Sequence, residues 1–533
     1  MRRLLGGALG AAGLISLITL LSRAVGFVRW LVQSWTLGSS ATSQAYETAN
    51  TVPNVLFEVA AGGALAGAVV PLLAVPLARH LRDDVDRTAS ALLTWTLLVL
   101  VPLAALLAVL AGPIAGLFGA GDEEITRLTA TMLRIFALQV PLYGVGVILS
   151  GVLQAQKRFF WPAFAPLLSS LVVIGAYLAF GAFAQGAQDR PSDLPAVAVA
   201  WLAWGTTAGV AAMSLSQLVP VVRSGLRLRP RTGFPAGVAR RAVTLAGAGL
   251  GALLAQQVSV VVVLYLATTA GETGTITVYR YAQAVYFLPY AVLAVPLATA
   301  VFPRLSERAG TGDRAGFAAL AAGSTRLVLA AGLVGLAVLV AVAPAATAVF
   351  SAADDMPGMT AAITWFAPGI VGYALVFHLP RALYALDRAR AAVVAAAAGW
   401  AAVSLASWAG VRLLVPAGGD GPATLTVLAG ASSLGMTLAG VLLLLALRRA
   451  GGAGALAGTA RTAVVAGAGA AAGAAGGRLV VDALLAGDGG PLAGVGAAVV
   501  GGVVAVAVTA VAVLAGDRST VRGAGLGRSG GAA

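Results

Sequence analysis

The chain has 533 residues, 59% of them hydrophobic and only 10% charged, with a mean hydropathy of +0.93, a composition that excludes a soluble protein of this length and places the chain in a membrane. It has no Cys and only two His, His80 and His378, which excludes disulfide frameworks, thiolate metal sites and Cys/His catalysis together; no cofactor is expected. The formal net charge of +14 raises nucleic acid as a partner, but basic residues of membrane proteins collect on the cytoplasmic side, so the charge reads as topology and no nucleic acid is expected.

A spanning helix needs about 20 mostly apolar residues. Fourteen stretches meet that criterion: 4–36, 46–78, 89–118, 128–155, 159–184, 195–222, 242–270, 275–303, 327–350, 360–386, 391–416, 423–447, 462–487 and 491–515. The last two are rich in Ala and Gly. Residues 1–21 have the basic lead and apolar run of a signal peptide. The run continues through Arg23 and Arg29 into further apolar chain, so a retained first span is expected.

The charges test this count independently. Of the 34 Lys and Arg, 26 fall in the N-terminal segment, in alternate loops or in the tail, among them Arg2, Arg3, Arg79, Lys157, Arg158, Arg223, Arg241, Arg304, Arg381, Arg448, Arg522 and Arg528. The intervening loops hold acids instead: Asp122 to Glu124, Asp189, Asp193, Glu272, Asp354, Asp355, Asp420 and Asp488. Both termini are therefore expected to be cytoplasmic and the number of spans even. The outer loops are short, which leaves no room for an extracytoplasmic catalytic domain, and a transporter rather than an enzyme is expected.

Two short matches point to an internal repeat. Ala66 to Pro71 closes the second span and Ala298 to Pro303 the eighth, an offset of 232. An L-x-A-x-x-R pattern ends the fourth span at Leu153 to Arg158 and the tenth at Leu383 to Arg388, an offset of 230. Each joins span n to span n+6, giving a six-plus-six parallel repeat with two further spans appended. Such halves place a substrate site between them and work by alternating access.

Ionisable residues inside spans are costly, about 2.5–3.5 kcal/mol for a mid-membrane Arg on insertion scales, so each is a candidate for function. Arg23 and Arg29 lie six residues apart, about 9 Å of rise and about 120° of net rotation on a regular helix. They either grip two ends of one large anionic group or snorkel to the membrane edge. Glu47, Asn50, Asn54 and Glu58 share one face of the second span, with Pro53 among them. The face either neutralises the arginines or lines a watered cavity, where a carbonyl freed by Pro53 is tolerable. Gln256 and Gln257 in the seventh span, and Arg280 and Gln283 in the eighth, are the second half's contribution; Arg134 and His378 read as helix glue or interface anchors. No G-x-x-x-x-G-K-[ST] occurs, so ATP hydrolysis is excluded. The basic loop 223–241 reads as a topology determinant or as a ligand for anionic lipid headgroups.

These residues resemble the MurJ/MviN family, the proposed lipid II flippases. Ser22 to Arg29 is similar to the family's S-R-x-x-G-F-x-R; Thr48 to Asn54, Gly62 to Leu65 and Val70-Pro71 match its A-x-x-x-P-N, G-A and V-P signature. Arg158 to Pro166, Leu288-Pro289, Phe302 to Ser306 and Tyr384 to Asp387 carry the likeness onward, so that it covers roughly residues 10–450. The resemblance implies an all-α polytopic protein of the multidrug/oligosaccharidyl-lipid/polysaccharide exporter superfamily. It has fourteen helices, two six-helix lobes in a V around a central cavity, and a last pair associated with the lipid tail. The domains expected are an N-lobe at 1–222, a basic cytoplasmic linker at 223–241, a C-lobe at 242–450, the lipid-tail pair at 451–515 and a cytoplasmic tail at 516–533. Studied members carry an acid and a base where this chain has Gln44 and Phe57, and an Asp-Arg pair where it has Gln283 and Ala284. Arg280, one turn earlier, supplies a guanidinium on the same face. Actinobacterial members resemble this chain in a less basic eighth span.

The expected function is a flippase in the cytoplasmic membrane that moves undecaprenyl-diphosphate-linked muropeptide, lipid II, from inner to outer leaflet. Arg23, Arg29 and Arg280 bind the anionic groups; Asn50, Asn54, Glu58, Gln256, Gln257 and Gln283 line the site. Membrane lipids and cell-wall synthesis proteins are the other expected partners. Two alternatives stand beside it: a cation-coupled multidrug or polysaccharide-precursor exporter using Glu47, Glu58 or Asp482, and a non-transporting scaffold.

Overall fold

The computed structural model describes residues 2–235, 238, 240, 242, 250–487, 490–518 and 520. Arg241, Asp488, Arg522 and Arg528, placed above in loops and tail, lie outside the described residues, as does the opening of the seventh expected span. Among the described residues there is no β-strand. The chain forms two compact units, Met1–Gln257 and Val258–Ala533.

In the first unit α1 (Arg2–Leu37) is followed by α2 (Ala41–Phe57), a π-helical turn (Glu58–Gly62) and α3 (Gly63–Ala78), helical without interruption from Ala41 onward and through Pro53. Then come α4 (Arg82–Val109), α5 (Ala111–Phe118), α6 (Glu123–Phe136), α7 (Gln139–Ala155), α8 (Phe160–Ala184), α9 (Ala196–Leu215) and α10 (Leu218–Arg223). The helix α11 (Leu250–Thr269) leads into the second unit, which continues with α12 (Thr275–Pro289), a second π-helical turn (Tyr290–Ala294), α13 (Val295–Gly310), α14 (Arg314–Phe350), α15 (Met359–Phe366), α16 (Gly369–Ala385), α17 (Ala389–Leu414), α18 (Gly421–Gly451), α19 (Thr459–Leu485) and α20 (Pro491–Gly516).

Twelve helices among the described residues are long and apolar enough to cross a membrane, and the pair α15–α16, bent by 45°, makes thirteen. The remaining expected span, 46–78, is helical throughout, with α2 one residue short of that length and Gly67–Ala78 a shorter apolar helix. Trp201, Trp204, Leu405, Trp408, Val464 and Leu492 are exposed, as side chains facing lipid should be. Several helices start where short polar side chains cap free N–H groups. Asp122 Oδ1 accepts from Glu124 and Ile125, Asp313 from Gly316 and Asp420 from Ala423, at 2.8–2.9 Å.

Burial in lipid gives no hydrophobic drive between helices, so close backbone approach has to hold them. In the first unit α1 packs on α8, α8 on α9, α2 on α6, and α3 and α4 on α7, around a core that includes Met132, Phe136 and Phe180. In the second, α18 packs on α16 and α17, while α14 carries α19 and α20. Small residues make these contacts: a Cβ on Gly477 would stand 2.7 Å from both Ala341 Cβ and Gly501 O. The last two spans are thus seated on α14 by an alanine-lined seam of Ala337, Ala341, Ala470, Ala474 and Ala505.

The repeat read from two short motifs is written in the backbone as well. The π-helical turns begin at Glu58 and Tyr290, an offset of 232. Left-handed backbone occurs at His80 (φ 56°) and Gly312 (φ 74°), again 232 apart, and at Lys157 (φ 61°) and Asp387 (φ 57°), 230 apart inside the L-x-A-x-x-R motifs. The helix breaks after Phe136 and after Phe366, also 230 apart.

Candidate functional site

In the first unit α1 presents Arg23 exposed and Arg29 half-buried, as the rotation between them requires. Arg29 leaves its Nε buried with no hydrogen-bond partner, and its charge lies within Coulombic range of the buried Tyr46 and Tyr177 and the half-buried Tyr143. Four residues further on, Gln33 is buried and donates through Nε2 to Glu47 Oε1 at 2.6 Å. Its own Oε1 accepts from Tyr177 OH at 3.1 Å, and Tyr177 meets Tyr46 OH at 2.8 Å, which also lies 3.2 Å from Thr206 Oγ1. The rings of Tyr177 and Phe136 stand edge-on to Tyr46 at 5.8 Å.

This network divides the polar face of α2. Glu47 is buried at 3% exposure within it, whereas Asn50, Asn54 and Glu58 are half-buried further along the same face. Asn54 Nδ2 donates to Asn50 O at 2.7 Å, which fixes the amide along the helix. Glu58 opens the π-helical turn. Phe57 is buried against Tyr143, their rings 5.2 Å apart. Tyr143 OH in turn donates to Gln139 Oε1 at 3.4 Å, and Gln139 Nε2 to Thr207 Oγ1 at 3.2 Å. Gln256 is half-buried and Gln257 buried on α11.

In the second unit Arg280 donates through one terminal nitrogen to Gln283 Oε1 at 3.1 Å, so both do share a face of α12. The helix continues into an aromatic cluster in which Tyr373 packs against Phe287 at 5.3 Å and Tyr290 at 4.8 Å. Arg381 stacks over Phe377 at 3.8 Å and donates to the Phe377 carbonyl. Read from charge alone Arg381 had only a topological role; its i, i+4 spacing from Phe377 on α16 was the available signal. His378 is fully buried and meets Ser324 Oγ at 3.2 Å, joining α16 to α14 as helix glue. Arg134 is exposed. Asp482 is gripped by Arg478 through both oxygens at 3.0 Å on α19. Among the described residues no cluster of acids and histidines has the makings of a metal site.

A doubled set of membrane-crossing helices, with guanidinia and amides placed inside them rather than at their ends, defines a multi-pass membrane transporter fold. The sequence profile described as "Lipid II flippase MurJ" matches residues 34–487, and the chain belongs to that family. It is 28% identical over 455 residues to the lipid II flippase MurJ of Burkholderia cenocepacia, covering 82% of this chain and 83% of that one. It is 30% identical over 226 residues to the probable lipid II flippase MurJ of a Synechocystis species, 42% of each chain. Among solved structures it is similar to a lipid II flippase MurJ in an inward closed conformation, with a TM-score of 0.69 and 18% identity over 94% of this chain and 99% of the other. An inward-facing multidrug resistance MATE transporter of the MOP superfamily follows, with a TM-score of 0.65 and 13% identity over 82% of this chain and 98% of the other.

Proposed function

We propose that this chain carries lipid II from the inner to the outer leaflet of the cytoplasmic membrane by alternating access, making and breaking no covalent bond. Family membership supplies the substrate class. The observation in this chain that carries the reading is Arg29, half-buried in a membrane helix of the same unit as the half-buried face of Asn50, Asn54 and Glu58, with its buried Nε left without a hydrogen-bond partner. The Arg29 guanidinium lies over the Trp30 ring at 5.5 Å, and its unsatisfied Nε–H is a donor ready for an oxyanion, of which a diphosphate offers several.

Arg23, Arg29 and Arg280 take the anionic groups in this reading. Asn50, Asn54, Glu58, Gln256, Gln257 and Gln283 contact sugar or peptide, and the polyprenyl tail stays in lipid or along α19 and α20. The alternation of basic and acidic loops supports cytoplasmic termini. An inside-negative potential then favours outward movement of an anion by about 2.3 kcal/mol per charge per 100 mV. The test is to deplete the lipid II flippase of a bacterial host, express this chain, and measure lipid II reaching the outer leaflet. Export by the wild type and its loss in Arg29→Ala, at equal membrane levels, is expected; equal export by Arg23→Ala/Arg29→Ala and wild type would refute it.

The MATE likeness favours a second reading, a cation-coupled exporter, which needs a membrane carboxylate. Asp482 is occupied by Arg478 and Glu47 by Gln33, so Glu58 is the best candidate. Ion-gradient-driven uptake in vesicles that disappears in Glu58→Gln would put this reading first.

A further inference from the structure

Beyond α10 the chain runs from Leu226 to Thr232 without regular structure, laid along α4 of the same unit. Three of its N–H groups donate to that helix: Arg227 to Asp86 Oδ1 at 3.2 Å, Arg229 to Ser90 Oγ at 3.1 Å and Arg231 to Thr94 Oγ1 at 3.0 Å. Trp95 Nε1 donates back to Thr232 O at 3.0 Å. The register follows from two periods: two extended residues advance about 6.6 Å and four helical residues about 6 Å, so every second strap N–H meets every fourth helix side chain. Alternation then fixes the faces. Leu226 is buried and Leu228 half-buried, while Arg227, Arg229 and Arg231 are exposed.

Strap and helix enclose two adjoining spaces. One, of about 140 Å³, is lined by Arg87, Arg227, Arg229 and Arg231 together with Asp83 and Asp86. The other, of about 460 Å³, is almost wholly apolar, walled by Leu93, Leu97, Leu98, Val101, Pro102 and Leu228. Ser90 and Arg229 line both. Among the described residues none of the four guanidinia forms a salt bridge, and with two carboxylates present the polar space keeps an excess of two positive charges. The apolar space lies along a helix that passes as a membrane span, where Leu98 and Val101 are 52% and 50% exposed. The polar space sits at that helix's charged end, Asp83 to Arg87, the end that charge assigns to the membrane surface.

We propose that the strap and α4 form a binding site for an anionic glycerophospholipid, its phosphate held by Arg227, Arg229, Arg231 and Arg87 and one acyl chain lying in the Leu93–Val101 groove. Charge complementarity selects the headgroup, since planar guanidinia spaced every second residue can hold a phosphate through paired donors. The continuity of a cationic cup with an apolar slot selects a lipid over a soluble anion. In the orientation proposed above the leaflet is the cytoplasmic one, where anionic headgroups meet basic segments. The site stands apart from the transport reading, which rests on α1, α2, α11 and α12.

Native mass spectrometry of the full chain released from detergent, titrated with phosphatidylglycerol or phosphatidylcholine, tests it. Phosphatidylglycerol adducts at least tenfold more persistent than phosphatidylcholine adducts are expected. Arg227→Gln/Arg229→Gln/Arg231→Gln should remove that preference at unchanged elution volume. Because that variant alters the strap, Val101→Trp, which fills the slot at a lipid-exposed position, serves as the second and should weaken phosphatidylglycerol at least fivefold. Arg448→Gln/Arg449→Gln, in the second unit and lining neither space, should change nothing. Equal retention of the two lipids, wild-type preference in both variants, or displacement by glycerol phosphate as effective as by phosphatidylglycerol would each overturn the proposal. Lipid II export is measured separately, so either reading can fail without the other.

Discussion

Replacing Gln33 with Leu removes two hydrogen bonds at once: the amide donor to Glu47 at 2.6 Å and the acceptor for Tyr177 OH at 3.1 Å. Gln33 is 1% exposed, Glu47 3% and Tyr177 2%, so water does not replace the lost partners. A bond to a carboxylate is worth about 1.5–3 kcal/mol and a neutral one about 0.5–1.5 kcal/mol, which gives a loss of roughly 2–4.5 kcal/mol. For a unit of this size each kcal/mol moves the melting temperature by about 2–4 °C, so Gln33→Leu should melt on the order of 5–15 °C below wild type in detergent. Glu47→Gln keeps a carbonyl acceptor at the same place and should lose less than half as much. Gln33→Leu/Glu47→Leu removes donor and acceptor together and should fall short of the sum of the single changes. Fluorescence-detected size exclusion after stepwise heating reads all of these. A Gln33→Leu protein that melts within about 2 °C of wild type would show that the network is not what ties α1 to α2 and α8.

Gly372→Leu on α16 sets a side chain against the Met436 backbone of α18, and should abolish monodisperse protein while Gly175→Leu, which meets nothing, leaves it intact. Asp313 is held below its ordinary carboxylate value first by the Gly316 N–H and then by Arg308, so its contribution is complete at neutral pH and is lost as acidification passes through the lowered value. Hydrogen exchange at the Gly316 amide should therefore be faster in Asp313→Ala than in wild type at pH 7, with the two converging only in acid. Arg478→Leu leaves Asp482 unpaired on a membrane helix, at an insertion cost on the order of 2.5–3.5 kcal/mol, and should lower the membrane level of the protein. Arg478→Leu/Asp482→Leu should restore that level, and loss of lipid II export in the double variant would move the pair from structure into transport.

Most of the architecture was legible because lipid imposes one requirement everywhere: twenty apolar residues between charged ends. That requirement set both limits of α8 and α17 and the C-terminal limit of α14 within a few residues; α4 and α14 start earlier, in basic chain at Arg82 and Arg314, and the expected 89–118 span breaks at Val109 and continues as α5. The repeat was legible from two six-residue motifs. The π-helical turns were not, since neither Glu58–Gly62 nor Tyr290–Ala294 has a composition that separates it from ordinary helix. Of the candidate site, spacing alone gave the shared face of Asn50, Asn54 and Glu58 and that of Arg280 and Gln283. It did not give the division of the α2 face at Glu47, because that is decided by Tyr177, 144 residues from its partner Gln33. The strap on α4 was legible only as a charge excess; its register depends on Asp86, Ser90 and Thr94, which mean little in sequence without the neighbour they bond.

The two π-helical turns re-aim the same pair of helices in both halves. A π turn is an α turn with one residue inserted, and the extra residue rotates everything after it by about 100° relative to everything before. An insertion of that kind in one half alone would throw the later motifs out of alignment with the other half. Here Ala66 to Pro71 and Ala298 to Pro303 keep the same offset of 232 as the π turns that precede them. The extra residue therefore sits at the same place in both halves of the repeat, so the turn of about 100° is imposed on each alike. The two turns share that geometry with no residue in common at matched positions, Glu-Val-Ala-Ala-Gly in one half and Tyr-Ala-Val-Leu-Ala in the other, so the backbone and not the side chains is what the halves have in common there.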